Sequence, residues 1–217
     1  MLPRKEMLKL QQRYDEFLAA TDAHFGSLLE FFETEGLFES SYIFLTSDHG
    51  ELFERGIHGH TNEYLYEPIV RVPLLVSAPG QKERVDVYQP TSSTDVLPTI
   101  LSVLGKPLPA SLEGLPLPGY AGGLPPDPGR PVYAFVSKST PARGRLGAYT
   151  IAMRRGDLKL IKYRGYKHIP ETYELYDLRQ DPEERQDLYA TRPDLADMMR
   201  SLLQAKEDQI DPPARAK

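Results

Sequence analysis

Asp48 and His49 stand side by side at the end of the apolar run Tyr42-Ile43-Phe44-Leu45-Thr46-Ser47. Gly50 and Glu51 lie directly behind them, and His58-Gly59-His60 follows a short loop later. An oxygen donor and a nitrogen donor in adjacent positions suit one divalent cation, and three of the chain's five histidines fall in this window. On a regular strand neighbouring side chains point to opposite faces, so Asp48 and His49 reach one ion only if the strand breaks after Ser47. Gly50 permits a sharp turn there. Glu51 is placed to accept the second N–H of the His49 ring, as acceptors behind ligating imidazoles commonly do; a helix dipole or solvent is the alternative. His58 and His60 suit contact with a substrate anion or protonation of a leaving group, tasks for a group titrating near neutrality. Of the two, His60 is the stronger candidate, and two solvated loop imidazoles are the plainer reading.

The elements around this window must hold it. From Lys5 to Glu35 apolar residues recur at Met7, Leu10, Tyr14, Phe17, Phe25, Leu28 and Phe32 with three-and-four spacing, which predicts a long amphipathic helix. Gly36 sits where a left-handed cap would end it. The strand Tyr42–Thr46 follows, and helix, short loop, buried strand is half of a βαβ unit, which implies a parallel sheet. In such a sheet the carboxyl ends of strands deliver side chains into a crevice. A second strand is expected at Val72–Ser77. Ser92-Ser93-Thr94-Asp95 then opens a helix through Leu104, with Pro98 in its first turn, where a missing N–H costs little.

Twenty prolines is a high count, and they cluster between Lys106 and Pro131 in a meandering connection. Beyond it the pattern changes. Val132–Val136, Ala148–Met153, Leu158–Lys162 and Tyr173–Leu178 read as short strands, with Arg155-Gly156-Asp157 as a tight turn, so this part is expected to be antiparallel. A last helix runs from Pro193 to Lys206, capped by Thr191 with Asp194 three residues on. The expected fold class is α/β: a partial, doubly wound, mostly parallel sheet flanked by helices over residues 1–131, then a small antiparallel sheet plus helix over 132–217.

Composition narrows the function. At 217 residues, 40% hydrophobic and 26% charged, the chain can bury an ordinary globular core. A net charge of −5 argues against a nucleic-acid binder, yet permits a small anionic substrate if a metal supplies local positive charge. With no cysteine, disulfides, zinc-thiolate sites and a thiol nucleophile are excluded. No apolar run reaches the roughly 18 residues that span a bilayer.

The chain resembles a known family. Ser47-Asp48-His49-Gly50-Glu51, His58-Gly59, Leu65-Tyr66-Glu67 and Val70-Arg71-Val72-Pro73-Leu74-Leu75 are similar to the second half of the sulfatases of the alkaline-phosphatase-like superfamily. Tyr14 and Asp22 through Gly26 resemble the helix before that family's metal strand. Thr94-Asp95-Val96-Leu97-Pro98-Thr99 resembles its Asp-x-x-Pro-Thr helix. Lys159-Leu160-Ile161, Glu174-Leu175-Tyr176-Asp177-Leu178 and Asp181-Pro182-Glu183-Glu184 resemble its C-terminal sheet.

The resemblance implies hydrolysis of a sulfate ester at a formylglycine made from Cys or Ser, with one divalent metal ion holding the oxygens. Asp48 and His49 match the downstream ligand pair. The basic residue that follows that pair in many members falls near His60, with His58 also a candidate. Calcium or manganese is the expected ion; calcium prefers oxygen ligands, whereas an imidazole ligand suits manganese, zinc or iron better. The formylglycine segment is expected to be absent, so the chain reads as a C-terminal half whose partner could be a missing N-terminal half. The substrate is then a small sulfate or phosphate ester, because Asp-His members include phosphonate monoester and phosphodiester hydrolases. A non-catalytic remnant, or one subunit of a split protein, is the reading outside enzymes. Lys159, Lys162, Arg164 and Lys167, interleaved with Tyr163 and Tyr166, are expected to form a solvated sheet face rather than a polyanion site.

Overall fold

The three-and-four spacing near the N-terminus becomes α1 (Arg4–Thr34), and Gly36, at φ +66°, turns the chain into the short α2 (Leu37–Ser40). A glycine adopts this left-handed conformation without the clash a Cβ would bring. The computed structural model describes residues 2–120, 127–138 and 146–210. It divides into two compact units, Met1–Asn62 with Pro68–Asp86, and Glu63–Glu67 with Val87–Lys217.

In the first unit, β1 (Ile43–Thr46) pairs with β2 (Leu74–Ser77), Ile43 opposite Ser77 and Thr46 opposite Leu74. The pairing is antiparallel, which corrects the parallel arrangement expected here. Parallel pairing needs a crossover of a dozen or more residues, usually a helix, that carries the chain back along the sheet. Residues 47–73 contain only the four-residue α3 (Glu67–Val70), and they return to the end they left. The Thr46 hydroxyl seals that end by donating to the Pro73 carbonyl at 2.9 Å. The strands are not fully buried either: the directly opposed Leu45 and Leu75 are both exposed. Met7 is the one buried residue of α1, while Phe17 is 71% exposed and Leu28 and Phe31 are open too. The helix forms as its spacing predicts, and its apolar stripe is partly covered, with Phe17 and Leu28 left open.

The second unit is built on a four-stranded antiparallel meander in chain order: β3 (Pro131–Ser137), β4 (Tyr149–Arg155), β5 (Leu158–Arg164) and β6 (Thr172–Asp177). Gly156, at φ +59°, makes the expected tight turn between β4 and β5. Tyr149, Ile151, Met153, Leu160 and Leu175 form one core with Ala196, Met199 and Leu203 of α5 (Pro193–Ile210). α5 starts at Pro193, one residue later than a Thr191 cap requires, and the Thr191 hydroxyl donates to the Leu188 carbonyl.

Ser92 opens a short 3-10 turn (Ser93–Asp95) and then α4 (Val96–Val103) through a reciprocal capping box with Asp95. Residues from Val87 onward form one compact unit with Glu63–Glu67 and the C-terminal sheet. Within it, Asp95 is fully buried and is gripped by both terminal nitrogens of Arg130 at 2.7 and 2.9 Å and by the Leu115 N–H at 2.9 Å. Leu117 N–H also donates to Thr99 Oγ1 at 2.8 Å, so this part of the Pro/Gly-rich stretch is ordered against α4. Residues 121–126 of that stretch lie outside the described residues.

Candidate active site

β1 ends at Thr46, and the backbone bends at Asp48. The Ser47 hydroxyl donates to the His49 carbonyl at 2.7 Å, and the His49 N–H donates to Asp48 Oδ1 at 3.0 Å. These local bonds stop the strand and turn both side chains to the same place, with His49 Nε2 3.8 Å from Asp48 Oδ2. His49 Nδ1 lies 2.8 Å from the Gly50 carbonyl. A carbonyl can only accept, so Nδ1 carries the proton and Nε2 keeps its lone pair.

Gly50 serves differently from the expected hinge. A Cβ on it would stand 2.0 Å from the Pro68 carbonyl oxygen, and its own N–H donates to the Ile69 carbonyl at 2.7 Å. Its bare backbone packs against the segment leading into β2, directly behind Asp48 and His49.

Residues 51–60 form a closed loop. Gly59 N–H donates to the carbonyl of the fully buried Leu52 at 3.0 Å, and Ile57 N–H to Glu54 O at 2.9 Å. Arg55, Gly56 and Gly59 all take positive φ to close it. Closure sets Glu51 beside His60, with Glu51 Oε2 2.9 Å from His60 Nδ1. The His60 ring in turn stacks on His49, centroids 3.7 Å apart and 22° from parallel. Glu51 therefore supports His60 and not His49, whose Nδ1 proton goes to Gly50. No local spacing signals this; the partners are nine residues apart and meet only because Gly59 folds back on Leu52. Glu51 is 14% exposed, and its Oε1 is buried without a hydrogen-bond partner among the described residues. A buried acceptor left unsatisfied costs about 1–3 kcal/mol.

His58 takes a different course. Its ring packs on Phe53 at 5.3 Å, and Phe53 packs on Tyr14 of α1 at 5.2 Å. The structure thus brings together Asp48, His49, Glu51 and His60, and places His58 in an aromatic contact. Asp48 is 87% exposed. Among the described residues no group of three or more His, Asp or Glu side chains is arranged to hold a metal ion, so Asp48 and His49 offer two donors.

The basic residues singled out on β5 are not a solvated face. Lys159 and Lys162 are buried. Lys159 Nζ lies 2.9 Å from Glu67 and 2.8 Å from Glu184, and Lys162 Nζ lies 2.7 Å from both oxygens of the buried Glu207. Glu207 also accepts from the Tyr149 hydroxyl, whose pKa is pushed up to about 12 by burial and then by that carboxylate. Their acidic partners are far away in sequence, which hid this from any local reading. His168 is exposed, 3.8 Å from Glu63.

The formylglycine expectation also needs a correction. The string Ser139-Thr140-Pro141-Ala142-Arg143 has Ser-x-Pro-x-Arg spacing, but it follows the Asp48-His49 pair instead of preceding it and lies outside the described residues. The described residues hold no cysteine or serine in that context.

A family model described as Sulfatase matches residues 5–106, and one described as N-sulphoglucosamine sulphohydrolase, C-terminal, matches residues 56–210. Arylsulfatase K of Bos taurus is 29% identical over 201 residues, covering 88% of this chain and 35% of that protein. An N-acetylglucosamine-6-O-sulfatase of Bacteroides thetaiotaomicron is 28% identical over 219 residues, covering 92% of this chain and 36% of its own length. The solved structure of BT4656 in complex with its substrate D-glucosamine-2-N,6-O-disulfate superposes with TM-score 0.67 at 25% identity, covering 92% of this chain and 41% of that one. The chain spans little more than a third of the length of these two curated relatives.

Proposed function

The chain belongs to the sulfatase family and corresponds to its C-terminal portion, and from that premise we propose that it supplies one wall of a centre that hydrolyses a sulfate ester. Asp48 and His49 ligate one divalent cation, and His60 contacts the sulfate oxygens or protonates the leaving group. The observation that carries this is the approach of His49 Nε2 to Asp48 Oδ2 at 3.8 Å, with the other ring nitrogen committed to a carbonyl. A proton-free imidazole nitrogen and a carboxylate oxygen at that spacing fit a metal's ligand set. When bound, the cation would neutralise charge building on the ester oxygens.

The chain's own residues do the rest. The Gly50 carbonyl fixes the His49 tautomer, the Ser47–His49 bond holds the strand break, and stacking on His49 positions His60 beside the ligand pair. His60 is 38% exposed, so an anion can reach it. Two donors fall short of the six that a hard divalent ion takes. A whole enzyme of the relatives' length would provide the remainder, and the open apolar residues of α1 and of β1 and β2 suit coverage by such a part. The formylglycine is not met by the described residues, and no step is assigned to it. Likeness to sulfatases named for sulfated glucosamines supports a sulfated sugar as the ester, and an imidazole beside a carboxylate favours a transition ion over calcium, with Mn2+ a usable probe.

The test is a Mn2+ titration of the isotope-labelled chain followed by NMR. Saturable paramagnetic broadening centred on Asp48 and His49, lost in Asp48→Ala and in His49→Gln, is expected. Broadening centred elsewhere, or unchanged in both variants, would refute the ligand assignment.

A further inference from the structure

We propose that Glu51 is a positioning residue for His60: it accepts the Nδ1 proton of that imidazole and so leaves Nε2 as the atom that faces the substrate, where a proton carried by it is donated to the anion or the leaving group. The inference rests on the reading of His60 as the group that meets the substrate anion. The geometry is specific. Glu51 Oε2 lies 2.9 Å from His60 Nδ1, and an ionised carboxylate only accepts, so the shared proton sits on the ring nitrogen. Which ring nitrogen of a histidine is free is set by the bond the other one makes. His49 obeys the same rule through the Gly50 carbonyl. The two stacked rings thus both bury their Nδ1 atoms in fixed acceptors and both keep Nε2 free, although their acceptors are of different kinds.

A surface ion pair would not look like this. Glu51 is largely withdrawn from solvent, and its second oxygen is enclosed without a partner among the described residues. The loop that joins the two residues is closed by the Gly59–Leu52 bond, and Gly59 holds a backbone conformation that side-chain-bearing residues rarely adopt. A carboxylate is kept poorly solvated here while it orients one imidazole.

The experiment reads tautomers directly. The 15N-labelled chain, metal-free and above the pH range where imidazoles are charged, is examined by long-range 1H–15N correlation, with His49→Gln and His60→Gln spectra assigning the signals. His60 and His49 should both show the Nδ1–H form, against solvent-exposed His168 as the internal reference. Glu51→Gln should keep the His60 pattern, because the amide oxygen accepts the same proton. Glu51→Ala should shift His60 to the Nε2–H form while His49 stays unchanged. A wild-type His60 in the Nε2–H form overturns the proposal without any variant being needed, and so does a folded Glu51→Ala protein with the wild-type pattern. Failure of the metal reading shows up separately, as absent Mn2+ broadening with the tautomers intact.

Discussion

The two units spend their charged residues in opposite ways. In the second unit, Lys159, Glu184, Lys162 and Glu207 are sealed inside and paired with one another or with Glu67. In the first, Asp48 is almost fully in water and His49 and His60 lie at the surface, linked through one strand break and one closed loop. Buried ion pairs hold a fold together only when each partner is present, because a lone buried charge is heavily penalised. Exposed donors cost the fold little and stay available to a ligand. On the proposed reading, paired burial of charge belongs to the scaffold of the second unit, and exposed donors beside rigid backbone to the ligand pair of the first.

Substituting Lys159 tests the scaffold side most severely. Lys159→Met leaves the buried Glu184 without its cation, and Glu67 with only Arg154 at 3.8 Å among the described residues, and should cost about 3–5 kcal/mol of stability by denaturant unfolding. A loss below about 1 kcal/mol, the range of an exposed pair, would erase the contrast. Gly50→Ala comes next. The added methyl must displace the Pro68 carbonyl, which predicts a loss of about 1–3 kcal/mol from overpacking and weaker Mn2+ binding. An unaltered affinity would show that the ligand pair does not depend on this backbone contact.

Acidity sharpens the comparison further. Burial holds the Glu174 carboxyl above the ordinary carboxylate range, against hydrogen bonds from Tyr163, Tyr66 and Tyr176 that pull it down. Between the ordinary value and the raised one, the folded state binds more protons than the unfolded state. Stability contributed by this group therefore falls as pH rises through that window and recovers on acidification. Glu174→Gln should flatten that part of a pH series of melting temperatures. Glu184, raised chiefly by burial, would leave a residual slope of the same sign. The smallest effect is expected at the site itself. Asp48→Ala should alter metal-free stability by no more than about 0.5 kcal/mol, and a larger loss would mean that the aspartate is part of the framework.

Local chemistry made some of this legible beforehand and concealed the rest. The meander could be read because β-forming runs and the Gly156 turn are neighbours in sequence, and the start of α4 because Ser92 and Asp95 sit at capping-box spacing. The strand break after Ser47 could be read from a run of β-formers ending in Asp-His-Gly. The direction of β2 could not, since it depends on the path of residues 47–73. Nor could the pairing of Glu51 with His60, or of Lys162 with Glu207, which chain folding brings together from a distance. Spacing along α1 announced a helix correctly, yet said nothing about what would cover Phe17.

The segment Glu63–Glu67 belongs to the second unit, while the residues on either side of it belong to the first. The polypeptide therefore passes between the units three times. One nick by a protease near Asp86 would leave two pieces still clasped, because Glu67 on the upstream piece remains bound to Lys159 on the downstream one. On a denaturing gel the protein would run as two bands, yet elute from a sizing column as a single species, and Lys159→Met should let the pieces part.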